Sequence, residues 1–151
     1  MDKVETLKCF YQENCVFARH HEQLRATITN FIIVVAAALI SLVTYDGSFS
    51  LTDLPITVFI FFLGVFGAVF SSKHYERIRL HLRRARKYRE EIDKMTKGIK
   101  LSKLREKANK ENEQKYGWLA KVKLNNFWIA LHVLISIIGL ILSVFSLITL
   151  E

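Results

Sequence analysis

The residues of this chain best suited to chemistry form a basic run from Lys73 to Arg89 that is interleaved with imidazole and phenol groups. Two rows follow the helical repeat along it. The first row is mixed: His74, Arg77, His81, Arg84 and Tyr88. The second row contains only arginine: Arg79, Arg83 and Arg86. Guanidinium groups fit phosphate oxygens, and flat rings can stack on bases. The run therefore predicts a polyanion site with six contacts: Arg77, Arg79, His81, Arg83, Arg84 and Arg86.

Three other interpretations of the basic run stay open. Lys73 and Arg77 lie within about a turn of the predicted membrane surface, where they can contact anionic headgroups. Arg83 and Arg86 would lie roughly 16–21 Å beyond Ser72 on an upright helix, too far for that contact. Carboxylates four residues after a base can neutralise part of the charge: Glu90, Glu91 and Asp93. These pairs leave three bases unmatched: Arg79, Arg83 and Arg84. The helix can also simply be solvated.

A second set of candidate residues follows one stripe of the apolar segment 127–150. The stripe has steps of four, three, four and three: His132, Ser136, Gly139, Ser143 and Ser146. Small residues let helices approach closely, and hydroxyls can bond across the contact. The same stripe could line a pore built from several copies, since three helices cannot enclose a water path alone. The candidate pore-lining residues are His132, Ser136, Ser143 and Ser146, with helix packing as the alternative.

The sequence contains only weak evidence for a metal site and none for a catalytic motif. Cys9 and Cys15, with His20 and His21 nearby, lack the usual zinc spacing, so we expect free thiols and no metal. The sequence contains no phosphate-binding glycine loop, no HExxH and no nucleophile elbow. We therefore expect a protein that is not an enzyme and that uses no cofactor.

The segments that must position these residues are long and apolar. The chain has 151 residues, a formal charge of +8 and a mean hydropathy of +0.20, values that can hold together only if charge and apolarity are segregated along the sequence. Three uncharged segments of span length exclude a soluble globular domain and a secreted disulfide scaffold. Segments 26–45, 54–72 and 127–150 contain no Lys, Arg, Asp or Glu. They are 20, 19 and 24 residues long, and about 20 helical residues cross a hydrocarbon core. We predict an all-α membrane protein with three transmembrane helices.

The distribution of charge predicts the orientation in the membrane. Segment 73–125 carries 18 of the 22 Lys and Arg residues, whereas the turn 46–53 carries two acids and no base. Because basic segments stay on the cytoplasmic side, we place segments 1–25 and 73–125 in the cytoplasm and the turn and the C-terminus outside. The first span follows 25 residues that include four acids, so we expect it to be retained rather than cleaved.

The transmembrane helices are predicted to continue into the cytoplasm as a helical bundle. Segment 1–25 is expected to form one continuous helix with the first span. From Lys73 to Met95 there is no Gly or Pro, so the second span should project roughly 34 Å further. Gly98 is the predicted turn of a basic helical hairpin. A return helix is expected from about Ser102 into the third span, with five buried candidates: Leu104, Ala108, Tyr116, Leu119 and Val122.

Three stretches carry a family resemblance: 64–67 (GVFG), 71–77 (SSKHYER) and 84–89 (RARKYR). With the surrounding region, about 20–95, they resemble the SLATT-like small membrane effectors of bacterial conflict systems. The resemblance implies homo-oligomeric pores in the bacterial inner membrane whose opening kills or arrests a phage-infected cell. It also implies a partner enzyme that makes the nucleotide or oligonucleotide ligand, and it carries over no catalytic residue.

Together these patterns predict a homo-oligomeric ion channel that acts in antiphage defence by abortive infection. A nucleotide or oligonucleotide on the basic cytoplasmic helices would gate it, and no stable binding of duplex DNA is expected. One alternative is a non-conducting membrane adaptor that recruits an acidic protein. Another is a membrane-disrupting toxin without ligand control.

Overall fold

A computed structural model of the chain describes residues 2–96, 98 and 100–148. Within these residues the regular elements are α1 (Lys3–Val43), α2 (Leu54–Met95), α3 (Leu101–Tyr116) and α4 (Leu124–Ile148), with short 3-10 turns at Leu51–Asp53 and Leu119–Lys121. Three of the helices, α1, α2 and α4, are long and apolar enough to cross a membrane. The all-α membrane class and the three span-length helices are thereby confirmed.

The helices contribute to two compact units. One, the basic unit, comprises Met1–Glu22 and Tyr75–Lys123. The other, the membrane unit, comprises Gln23–His74 and Leu124–Glu151. Neither α1 nor α2 contains a proline or glycine at the change from one unit to the other, so each helix is shared between them.

The membrane unit is packed around an apolar cluster drawn from three helices: Ile32, Ala36, Ile60, Ile135 and Leu142. Glycines permit close approach of α2 and α4. A Cβ on Gly64 would lie 2.7 Å from the carbonyl oxygen of His132, and a Cβ on Gly139 would lie 2.8 Å from Cα of Phe61. Any larger side chain at these positions would push the helices apart.

The connection between α2 and α3 is held by one carboxylate. Asp93 is buried, and its oxygens accept hydrogen bonds from the backbone N–H groups of Leu101 (3.0 Å) and Ser102 (2.8 Å). These bonds satisfy donors that the first turn of α3 leaves without helical partners. They also lower the pKa of Asp93, the bond from Ser102 most of all. In the connection Gly98 has a φ of 111°, which glycine tolerates and most residues do not.

The prediction of one continuous helix from about Ser102 into the third span is wrong. Helix α3 ends at Tyr116, and Gly117 follows with a φ of 52° while its N–H bonds to the carbonyl oxygen of Glu113. A glycine in a positive-φ conformation ends a helix readily because it has no Cβ to clash. The five residues expected to be buried along this segment are all exposed or nearly so: Leu104, Ala108, Tyr116, Leu119 and Val122. Helix α3 has no buried residue.

Candidate anion-binding site

Five arginines from two helices surround a cavity of about 300 Å³ in the basic unit. Helix α2 supplies four of them, Arg79, Arg83, Arg86 and Arg89, and α3 supplies Arg105. The remaining wall consists of Tyr11 and Cys15 of α1 with Leu82 and Ala85 of α2. We call this space the arginine cavity.

The helical repeat explains why the α2 arginines converge. Ile78, Ala85 and Ile92 are buried, so they mark the face of α2 that packs within the basic unit. The four arginines lie beside that face at steps of four, three and three. The fifth comes from α3, whose first turn is held by Asp93, and Arg105 follows four residues after Leu101. The cavity thus depends on one helix face and one helix cap.

The positive charges in the cavity are concentrated. Burial lowers the pKa of Arg105, and the positive charges of Arg86 and Arg89 lower it further. Nε of Arg89 is buried without a hydrogen-bond partner in the described part of the chain. A buried donor beside several like charges is stabilised by an anionic acceptor.

Two of the three carboxylates that the sequence offered as neutralising partners, Glu91 and Asp93, have other contacts. Glu91 lies 2.6 Å from Nζ of Lys94, and this ion pair lowers the pKa of Glu91 and raises that of Lys94. Asp93 caps α3. Among residues 2–96, 98 and 100–148, no ion pair involves Arg79, Arg83 or Arg86. Neutralisation by ion pairs therefore does not account for Arg79, Arg83 and Arg86. The other two cavity arginines have acids nearby, since Glu90 partly offsets the lowering of the pKa of Arg105 that burial causes, and Arg89, after the hydrogen bond from Ser102, contributes to lowering the pKa of Asp93.

Only part of the predicted contact set lies at the cavity. Arg79, Arg83 and Arg86 line it. Arg77 instead has its Nε 3.6 Å from Oε2 of Glu76, and Arg84 is exposed outside the lining. The mixed row of imidazole, guanidinium and phenol groups therefore contributes no residue to this cavity: His74, Arg77, His81, Arg84 and Tyr88.

His81, the remaining predicted contact, connects α2 to α1. Its Nδ1 lies 3.0 Å from Oδ1 of Asn14, and its ring lies 5.3 Å from that of Phe17 and 5.6 Å from that of His21, centroid to centroid. Burial lowers the pKa of His81, and the charges of Arg84 and Arg77 lower it further. The side chain contacts α1 and lies outside the cavity lining, so its position does not support its predicted role as a ligand contact.

Sequence reasoning missed four residues at the cavity: Tyr11, Cys15, Arg89 and Arg105. Arg89 could have been found from the sequence, because it interrupts a row of apolar residues at heptad-like spacing in α2: Tyr75, Ile78, Leu82, Ala85, Ile92 and Met95. The pair Tyr11 and Cys15 has i, i+4 spacing on α1, and the pKa of Tyr11 is raised chiefly by its charge interaction and hydrogen bond with Cys15. Nothing local marks Arg105, since its place depends on how α3 starts.

The four candidate pore-lining residues are buried among helices of the same unit. Nε2 of His132 lies 3.1 Å from Oγ1 of Thr29, and the ring fills the space beside Gly67. The hydroxyls of Ser136, Ser143 and Ser146 donate to the Phe61 carbonyl, to Oγ1 of Thr57 and to the Leu142 carbonyl, each at 3.0 Å. In this conformation the stripe packs against the neighbouring helices of the membrane unit.

Arg25, assigned to the N-terminal segment, is buried in the membrane unit. Its Nη1 donates to Oδ1 of Asn125 (3.0 Å), and its guanidinium lies 5.2 Å from the ring centroid of Trp128.

Cys9 and Cys15 are free thiols. The described residues contain no group of three or more His, Cys, Asp or Glu placed to hold a metal.

The fold and the site define an all-α protein with three span-length helices and an arginine-lined cavity in a separate basic unit. Comparison with protein-family models, with curated proteins and with solved structures found no match to this chain.

Proposed function

We propose that this protein is a homo-oligomeric membrane channel controlled by a nucleotide or oligonucleotide bound in the arginine cavity. The convergence of five arginines from α2 and α3 on one cavity carries the proposal. Guanidinium forks bind phosphate oxygens in pairs, and several of them together favour a ligand with more than one phosphate. The resemblance to SLATT-like effectors supports a role in antiphage defence, with a partner enzyme supplying the ligand.

The proposal places the basic unit in the cytoplasm and the membrane unit in the bacterial inner membrane. The excess of Lys and Arg in segment 73–125 supports this orientation, because basic flanks are retained on the cytoplasmic side. A nucleotide produced in the cytoplasm would then have direct access to the cavity.

Helix α2 supports a link between ligand binding and the spans. It runs unbroken from Leu54 to Met95 and carries both an apolar span and four cavity arginines. A ligand shifts a conformational equilibrium only if it binds one state better than the other. In this structure the stripe from His132 to Ser146 is buried between helices. We propose that the ligand favours a different arrangement of α2, in which this stripe is exposed to the pore.

A flux assay tests the proposal. Purified protein in liposomes should release a trapped ion or dye in a nucleotide-dependent way. Arg83→Glu, which reverses a charge at the cavity, should abolish the dependence. Arg84→Glu makes the same change at the next residue, outside the lining, and should keep it. Absence of leakage under every nucleotide condition would refute the channel, and equal loss in both variants would refute the cavity as the site.

One observation favours a second candidate, a non-conducting adaptor for an acidic protein. Helix α3 has no buried residue, and it exposes Leu101 and Leu104 among five bases. The adaptor predicts a stable complex with an acidic partner, lost on Leu104→Glu, and no conductance. The channel predicts conductance and no stable complex with an acidic protein.

A further inference from the structure

A second cavity adjoins the arginine cavity in the basic unit. It has a volume of about 710 Å³ and shares three lining residues with the first cavity: Tyr11, Cys15 and Leu82. Beyond them it continues along Val16 and Ala18 of α1 and Ile78 of α2, so its surface is mainly apolar. We call it the apolar cavity.

The two cavities differ in the chemistry that they can accept. The smaller one is lined by guanidinium groups and suits phosphates. The larger one offers the Tyr11 ring with aliphatic neighbours, which suits a flat apolar group. An inorganic polyanion would use only the first cavity. A ligand with phosphates at one end and an aromatic ring system at the other would use both.

Three polar residues of the apolar cavity narrow the choice of apolar group. Gln12, Arg19 and Glu22 also line it. Their amide, guanidinium and carboxylate groups can donate to and accept from the polar edge of a base, whereas an acyl chain can form no hydrogen bond with them. The lining therefore favours a nucleobase over a lipid tail.

We infer that the ligand is a nucleotide whose phosphates lie in the arginine cavity and whose base lies in the apolar cavity against Tyr11. This inference rests on the proposed function and adds to it that the protein distinguishes a nucleotide from a bare polyphosphate. Tyr11 is one of the three residues that line both cavities and the only aromatic one among them, so it marks the place where base and phosphate would meet.

The test compares probes that share a triphosphate. Binding of ATP, GTP, CTP, UTP and inorganic tripolyphosphate to the purified full chain is measured by calorimetry. Because stacking of one base contributes on the order of a tenfold or greater gain in affinity, at least one nucleotide should bind about tenfold or more tightly than tripolyphosphate. Equal affinities would overturn the base site and leave the anion site standing. No binding by any probe would overturn both.

Variants of the cavity lining test whether the preference for a nucleotide over tripolyphosphate arises in the apolar cavity. Tyr11→Ala should reduce nucleotide affinity to that of tripolyphosphate, and Tyr11→Phe should keep the preference. Val16→Trp fills the cavity from a side chain that is 53% exposed, so the fold should tolerate it, and it should also abolish the preference. Leu119→Trp, at a side chain 58% exposed and outside both linings, is the matched control. An unchanged nucleotide preference in Val16→Trp would overturn the inference, as would tighter binding of a short-chain phosphoinositide than of any nucleotide.

Discussion

The guanidinium groups of the arginine cavity lie close enough to change one another's chemistry. Arg86 and Arg89 lower the pKa of Arg105 beyond the effect of burial, and Nε of Arg89 is buried without a hydrogen-bond partner in the described residues. Such an arrangement is unfavourable for the folded chain by itself and favourable for an anion. Residues that serve binding rather than stability are expected to show this combination.

Arg105→Gln should therefore raise stability while it weakens anion binding. Removing one of several like charges relieves repulsion worth about 0.2–1 kcal/mol, an amount typical of charge pairs near a surface. The gain should shrink as salt is added, because salt screens the repulsion. Urea unfolding at low and high salt measures it, with Arg84→Gln as the control. A loss of stability in Arg105→Gln would show that the side chain serves packing instead.

His81 predicts a pH dependence of the contact between α1 and α2. Its pKa in the folded protein is lowered below 6.5 by burial and then by Arg84 and Arg77. Its contribution to stability is thus fully present above the unfolded-state pKa and is lost as the pH falls through the folded-state value. From about pH 7.5 to about pH 5 the thermal midpoint should fall more in the wild type than in His81→Gln. The exposed His20→Gln variant should behave like the wild type.

At the scale of elements, helix ends decide where side chains converge. Asp93 holds the first turn of α3 and so positions Arg105, whereas Gly117 ends α3 and separates it from α4. Neither residue touches the proposed ligand. Asp93 acts through the start of α3, which makes the arginine cavity sensitive to a change outside its lining.

Asp93→Ala should weaken anion binding without altering any cavity residue. The variant removes both acceptors for the N–H groups of Leu101 and Ser102, so the first turn of α3 should fray. Hydrogen exchange should increase at residues 101–105, and affinity for tripolyphosphate should fall. Glu91→Gln removes only the exposed pair with Lys94 and should change neither measurement. Unchanged exchange in Asp93→Ala would contradict the capping role.

At the scale of the whole molecule, charge and apolarity are separated along the chain. Most of the bases lie in segment 73–125, while α1, α2 and α4 each contain a stretch apolar enough to span a membrane. Helices α1 and α2 each contribute to both units. This separation is the physical basis for placing the proposed ligand site in water and the proposed channel in lipid.

Thiol labelling tests the proposed orientation. In spheroplasts, a membrane-impermeant maleimide should leave the exposed thiol of Cys9 unmodified until the membrane is permeabilised. Ser48→Cys, in a background with Cys9→Ser and Cys15→Ser, should react at once, since Ser48 is exposed in the turn predicted to lie outside. The opposite labelling pattern would show that the topology is inverted and that the arginine cavity lies outside the cytoplasm.

The sequence alone determined the helical class, the number of span-length helices and the row containing Arg79, Arg83 and Arg86. These features depend on local composition and on the helical repeat, which one segment contains in full. The tertiary structure alone decided that Arg89 and Arg105 join that row and that His81 packs against α1 instead. It also decided that the stripe from His132 to Ser146 is buried against α1 and α2. Those outcomes depend on contacts between helices distant in the chain, and periodicity identifies a face without identifying what covers it.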